Sequence, residues 1–352
     1  MERRYGQITL PGFVDLHVHF REPGFSSKET IRTGALAAAR GGYSAVCTMP
    51  NLDPAPDSLE HLRQQLGLIA RGACEGLTII PAGAVTKGQA GRGALSDMAA
   101  MAPYVCGFSD DGRGIQEEGL MGRAMRAAKK LRKPVIAHCE DESLPGDRGE
   151  SEWKQLERDL ALVEETGCAY HMCHVSTRES VALLRGAKKK GLPVTAETAP
   201  HYLLLTREDA RDDGRFKMNP PLRGPDDRAA LLEGLLDGTV DCVATDHAPH
   251  TREEKSGGLR GSAFGVVGLE TAFPVLYTHL VRENVIALNQ LVDLMSRNPH
   301  RLLEAWTGRT VPLGHFTWDL DKQYTIDPER FLSMGRATPF AGWEVFGGLL
   351  CG

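Results

Sequence analysis

Short apolar runs rich in Val, Ile and Ala alternate along the chain with longer stretches whose apolar residues return at helical spacing. The strand-like runs fall at residues 9–20, 44–49, 77–85, 105–111, 134–138, 169–176, 194–200 and 242–246. Helical segments such as 58–71, 120–131 and 179–190 lie between most of them. Ser26-Ser27-Lys28-Glu29 has capping-box spacing, which predicts a helix from an N-cap at Ser26 to Ala39. Eight strands with intervening helices predict an α/β fold, a parallel (β/α)8 TIM barrel over residues 11–307. Residues 270–306 read as helices. Residues 308–352 then read as a separate, small appendage of strands and loops.

Composition narrows the classes of function. At 352 residues and 41% hydrophobic content the chain suits one barrel. Its net charge of −5 comes from interspersed acids and bases, which argues against a nucleic-acid or membrane-surface partner. No apolar run reaches the length of a membrane span, and residues 1–12 lack the basic-then-apolar order of a signal peptide. The eight cysteines form no CxxC pair and read as reduced thiols, so the expected compartment is the cytoplasm.

The chemistry sits at strand ends, where barrel enzymes keep catalytic groups. In Asp15-Leu16-His17-Val18-His19 the two histidines are two residues apart, on one strand face, and can hold one metal together. Strand-like segments also end in Ser109-Asp110-Asp111-Gly112, Ala137-His138-Cys139-Glu140, Cys173-His174-Val175-Ser176 and Ala244-Thr245-Asp246-His247. Four imidazoles with two or more carboxylates make a mixed nitrogen and oxygen site suited to zinc or a similar divalent ion. Arg21, on the same face as His19, offers a planar fork of donors for a carboxylate.

The strings Pro11-Gly12-Phe13-Val14-Asp15-Leu16-His17-Val18-His19-Phe20-Arg21-Glu22-Pro23-Gly24, Met49-Pro50-Asn51, Lys217-Met218-Asn219-Pro220-Pro221-Leu222-Arg223 and Ala244-Thr245-Asp246-His247-Ala248-Pro249-His250 carry a resemblance. With them the chain resembles the metal-dependent amidohydrolases, and among these the dihydroorotases, over residues 10–307. The resemblance implies that His17, His19 and Asp246 bind one Zn2+ and His138 and His174 a second, with a carboxylate bridging the two. Many relatives use a carboxylated lysine there. Residues 107–112 contain no lysine and resemble the aspartate-using bacterial dihydroorotases, which places the bridge at Asp111. Asp110 is then left to cap the turn at 112–114, and the shorter aspartate would leave the second site partly empty at low zinc.

The implied reaction is the reversible closure of N-carbamoyl-L-aspartate to L-dihydroorotate in pyrimidine biosynthesis, with Asp246 as proton shuttle. The resemblance assigns Arg21, Asn51 and His250 to the substrate carboxylate, Asn219 to the ring amide, and the Phe264-Gly265 backbone to the substrate edge. By the same resemblance residues 1–10 and 308–352 make a small terminal β appendage, a reduced form of the β-sandwich of bacterial dihydroorotases, and these short flanks suggest a homo-oligomer or a complex with aspartate transcarbamoylase. Two alternatives remain at this stage: an allantoinase or dihydropyrimidinase type of cyclic amidase, and an inactive partner subunit. His171 is expected to face the helix layer, His201 to line the mouth, His247 to pack or orient, and Cys173 to belong to the core.

Overall fold

The computed structural model describes residues 6–351. Twelve strands follow in order: β1 (Gln7–Pro11), β2 (Phe13–Val18), β3 (Tyr43–Thr48), β4 (Thr78–Pro81), β5 (Gly83–Ala84), β6 (Phe108–Ser109), β7 (Val135–Ala137), β8 (Tyr170–Met172), β9 (Val194–Thr198), β10 (Cys242–Val243), β11 (His315–Thr325) and β12 (Glu344–Cys351). Strands β2-β3-β4 pair in parallel, as do β5 to β10 in chain order. β4 and β5 are one strand interrupted at Ala82, whose N–H donates to Thr48 O at 2.9 Å. The ring closes between β2 and the end of β10, through a parallel bridge of Val18 to His247 and a 2.8 Å bond from His19 N–H to His247 O. The result is an eight-stranded parallel α/β barrel, with helices such as Leu59–Gly72, Glu118–Leu131, Glu150–Thr166 and Arg178–Lys189 between strands.

One irregularity in β2 aims the first histidine pair. Val14 and Leu16 pack in the barrel interior with Ala45, Cys47, Cys106, Ile136 and Cys242, whereas Phe13, Val18 and Phe20 join the larger core between strands and helices. Strict alternation from Leu16 would send Val18 inward and His17 outward. The pairing of β2 with β3 slips by one residue between Asp15 and Val18, and this bulge reverses the phase. His17 and His19 therefore share the interior, above Leu16. Asp15, just before the bulge, accepts from Thr245 Oγ1 at 2.6 Å and from Thr245 N at 3.1 Å, tying β2 to the segment that carries Asp246.

Several expectations are corrected. The strand expected at 9–20 is broken at Gly12: β1 turns away to pair antiparallel with β11. A Cβ on Gly12 would lie 1.8 Å from Ser44 Oγ, so only glycine fits this crossing. The helix expected from Ser26 begins at Ile31, because Thr30 and Thr33 form the capping box. Glu29 instead turns inward, is fully buried, and accepts from Thr33 Oγ1, Ser333 Oγ and Met334 N. Through Ser333 and Met334 the C-terminal segment is tied to Glu29. β1, β11 and β12 form one three-stranded sheet, and Trp318 of β11 lies 4.3 Å from the ring centroid of Phe273 and 5.7 Å from that of Phe13. The helices Glu150–Thr166 and Pro225–Asp237 were not singled out from the sequence.

Candidate active site

The six expected metal ligands converge at one end of the barrel, each at or just beyond a strand end. Asp111 is the hub. Its Oδ1 lies 3.3 Å from His17 Nε2, 3.6 Å from His138 Nδ1 and 3.5 Å from His174 Nε2, and its Oδ2 lies 3.5 Å from His19 Nε2. Asp246 Oδ1 is 3.0 Å from His19 Nε2 and 3.6 Å from His17 Nε2, while His138 Nδ1 and His174 Nε2 are 3.0 Å apart. All six residues are buried. The donor atoms of His17, His19 and Asp246 lie within 4.8 Å of one another, as do those of Asp111, His138 and His174.

This donor set fits a pair of cations. His17 Nε2 and Asp111 Oδ1 are buried without a hydrogen-bond partner, a state that costs free energy unless a ligand satisfies both. Two of the six residues hold left-handed backbone, His174 at φ 34° and Asp246 at φ 48°, and such strain is concentrated at sites the surrounding structure over-determines. Burial alone would raise the Asp111 carboxyl; the charge of His17, with the imidazoles of His138 and His174 close by, holds it well below the ordinary carboxylate range. Burial likewise opposes ionisation of Asp246, yet its hydrogen bond to His19 and the nearby imidazoles bring it to about 2. For His138, burial is outweighed by Asp111 and Glu140, raising it to about 9. These carboxylates are thus held as anions, ready to exchange the protons on their histidines for metal ions.

Outer partners fix the rings. His19 Nδ1 is 2.8 Å from Asn51 Oδ1, His138 Nε2 is 2.8 Å from Glu140 Oε2, and His17 Nδ1 is 2.7 Å from Glu197 Oε1. Asn219 Nδ2 donates to the same Glu140 oxygen at 2.8 Å. Sequence reasoning singled out neither Glu140 nor Glu197 for a role. Glu197 lies 180 residues from His17, and no local pattern marks it. His171 was expected to face the helix layer. Its ring does meet Trp306 edge-on at 4.9 Å, but Nε2 also lies 3.1 Å from Glu197 Oε2. Cys173 was expected to turn away from the metals into the core; it does pack in the barrel core, but its sulfur lies within 4.8 Å of the His17 and Asp111 donor atoms.

Asp110 departs from its expected task. Its carboxylate accepts from Val85 N at 2.8 Å, Thr86 N at 3.1 Å, Thr86 Oγ1 at 2.5 Å and Gly91 N at 3.2 Å. It therefore anchors the loop after β5 and leaves the Gly112 turn to other bonds. His201 is buried beyond β9, with Nε2 unpartnered, and burial holds it down at about 4.

At the rim, Arg21 is 7% exposed and donates from Nε to Pro249 O at 3.2 Å. Among the described residues no ion pair is formed by Arg21; Asp246, Asp111, Glu254 and Glu29 act on it by charge at longer range, and burial outweighs them, lowering its guanidinium to about 10. Its Nη2 is 3.4 Å from His250 Nε2, which in turn lies 2.8 Å from Phe264 O. Burial and the Arg21 charge keep His250 neutral down to about 4. The Phe264 ring is half exposed, with the Lys217 ammonium 4.2 Å from its centroid. Gly265 N–H donates to Lys217 O at 2.9 Å, and at φ 132° this position favours glycine. Of the substrate-binding residues expected from the sequence, Arg21, His250 and Phe264 thus form one linked group, Asn219 is bonded to Glu140, and Asn51 is bonded to His19.

A family model described as Dihydro-orotase-like matches residues 6–152. The chain is 47% identical to a dihydroorotase of Staphylococcus epidermidis, over 97% of this chain and 85% of that one. It is 46% identical to a dihydroorotase of Geobacillus thermodenitrificans, over 97% of this chain and 84% of that one. Among solved structures it is similar to an L-hydantoinase (dihydropyrimidinase) from Arthrobacter aurescens, with a TM-score of 0.87 at 23% identity over 98% of this chain and 84% of that one. It is also similar to a dihydroorotase from Campylobacter jejuni, with a TM-score of 0.74 at 18% identity over 99% and 98%. At such identities the solved structures speak for the barrel alone.

Proposed function

The chain belongs to the dihydroorotase family of cyclic amide hydrolases, and from that premise we propose that it interconverts N-carbamoyl-L-aspartate and L-dihydroorotate in pyrimidine biosynthesis, with two zinc ions. The observation that carries this reading is Arg21: a buried guanidinium without a carboxylate partner, beside a buried cluster of metal-ligand type. A cyclic amide bearing a spectator carboxylate meets both requirements. Dihydrouracil and allantoin lack that carboxylate and would leave the cation unpaired. The full set of six ligand residues argues against an inactive subunit.

In this reading His17, His19 and Asp246 would hold one ion, His138 and His174 the other, and Asp111 would serve both. Bound there, the ions would supply Lewis acidity for the amide carbonyl and for activation of water at neutral pH. Asp246 meets both His17 and His19 through Oδ1, and we assign Oδ2 to proton transfer between the water and the ring nitrogen. Because Asp246 is held ionised, it enters the hydrolytic direction as the acceptor. Arg21 and neutral His250 hold the spectator carboxylate, joined by the Asn51 amide hydrogens that its bond to His19 leaves over. Asn219 gives its hydrogens to Glu140, so its oxygen is the group left for the substrate's ring N–H. The Phe264-Gly265 backbone borders the substrate edge.

We assign residues 11–307 to the catalytic barrel and the terminal segments to the sheet β1-β11-β12. In that sheet β1 and β12 are the outer strands among the described residues, which supports self-association or docking of aspartate transcarbamoylase. Among the described residues no helix is long and apolar enough to cross a membrane, which fits a cytoplasmic enzyme. Turnover of dihydroorotate, dihydrouracil and allantoin by the zinc-loaded protein, measured side by side, tests the proposal. Dihydroorotate should be preferred by at least about 30-fold in kcat/KM, the lower bound on the worth of one buried charge pair. Preference for either of the others would overturn it.

A further inference from the structure

Glu197 and His171 belong neither to the ligand set nor to the substrate pocket, yet both are buried and linked to His17. Glu197 lies in β9 and spans two imidazoles: Oε1 is 2.7 Å from His17 Nδ1 and Oε2 is 3.1 Å from His171 Nε2. His171 Nδ1 is in turn 2.8 Å from Thr195 Oγ1, and Trp306 meets the ring edge-on. A neutral imidazole carries one N–H. With Nδ1–H donating to Glu197, His17 must present the lone pair of Nε2, the atom that faces Asp111 and Asp246.

The other ligand histidines are supported differently. His19 leans on the neutral amide of Asn51, and His138 on Glu140, whose side chain is 26% exposed. Glu197 is 1% exposed, so its charge acts on His17 through a low-dielectric interior, where it raises the basicity of the ring most.

We propose that Glu197 and His171 are positioning residues that fix the tautomer and orientation of His17. They thereby make the His17–His19–Asp246 site the tighter of the two zinc sites, filled before the Asp111–His138–His174 site. This rests on the metal-site reading above.

The test is chelator competition for zinc by the metal-free full chain, with wild type, Glu197→Gln, His171→Gln and His17→Ala compared. Glutamine at 197 keeps size and an acceptor but loses the charge. Glu197→Gln should weaken the tighter zinc step by about 10- to 100-fold and leave the weaker step unchanged. His171→Gln should weaken the same step by less, and His17→Ala should abolish it. A role in packing alone would lower thermal stability without moving either zinc step. If His17→Ala leaves both zinc steps intact, the metal-site reading falls, and this proposal with it; if it removes the weaker step and leaves the tighter one, the metal-site reading stands and this proposal is overturned. If His17→Ala abolishes the tighter step while the two positioning variants bind zinc as wild type does, the metal-site reading stands and this proposal is overturned. Should Glu197→Gln not fold, His171→Gln decides by the same criterion.

Discussion

Replacing Arg21 with methionine should make the protein more stable and a far worse enzyme. Methionine keeps most of the length and volume of the side chain but not its charge. Burial moves the Arg21 guanidinium from its ordinary 12.5 to about 10, and the group is only 7% exposed. A shift of that size corresponds to roughly 3 kcal/mol by which folding disfavours the charge. The bond from Nε to Pro249 O returns about 1 kcal/mol. The methionine variant should therefore gain about 1–2 kcal/mol in unfolding free energy, or a few degrees in Tm. Against that, loss of one partner of a buried charge pair should cost about 2–5 kcal/mol in the transition state, which is roughly 30- to 5000-fold in kcat/KM. The assay pairs steady-state kinetics on dihydroorotate with thermal unfolding and zinc content, which should not change. Near-wild-type kcat/KM would refute the substrate role. Joint loss of activity, zinc and stability would show that Arg21 holds the site together instead.

Three further outcomes are expected. Asp246→Asn keeps one oxygen donor but cannot take up the proton, so kcat should fall by about 100-fold or more; steady-state kinetics with metal analysis checks this, and unimpaired turnover would place the base elsewhere. Asp110→Ala removes the acceptor of four bonds to the loop after β5 and should cost about 2–4 kcal/mol of stability, read by urea unfolding. His201 is held down at about 4 by burial, from an ordinary 6.5. Its contribution to stability is therefore complete above pH 6.5 and is lost as the pH falls toward 4. Metal-free wild type should lose about 3 kcal/mol more over that interval than His201→Gln, by urea unfolding at each pH, and parallel profiles would contradict the account.

What could be read from the sequence follows from the range of each interaction. His17, His19, His138, His174, Asp111 and Asp246 were legible because each ends a strand-like run, and the order of those runs fixes their meeting at one barrel mouth. The bulge in β2 was not legible, since alternation alone cannot say where the phase reverses; spacing of two kept His17 and His19 together regardless. Ser26 offered a sound capping pattern, but Thr30 and Thr33 offered another, and the buried demand on Glu29 favoured the second. That demand comes from Ser333, 304 residues away, a tie that neither segment reveals when read alone. Glu197 and His171 escaped notice for the same reason: their role exists only once β2, β8 and β9 share the barrel interior. Alternation set Asp110 apart from Asp111, but its partners, on the preceding loop, could not be read from it.

The central claim is that a genetically encoded carboxylate, Asp111, joins two metal ions in this barrel, and zinc reconstitution in bicarbonate-free buffer tests it most directly. Lysine can bridge only after reaction with carbon dioxide, whereas Asp111 already stands within 3.3–3.6 Å of a nitrogen on each of four histidines. Metal-free wild type should recover full activity with zinc alone, and Asp111→Ala should lose both activity and the second zinc. A strict requirement for bicarbonate, or two zinc ions and activity retained by Asp111→Ala, would contradict the account.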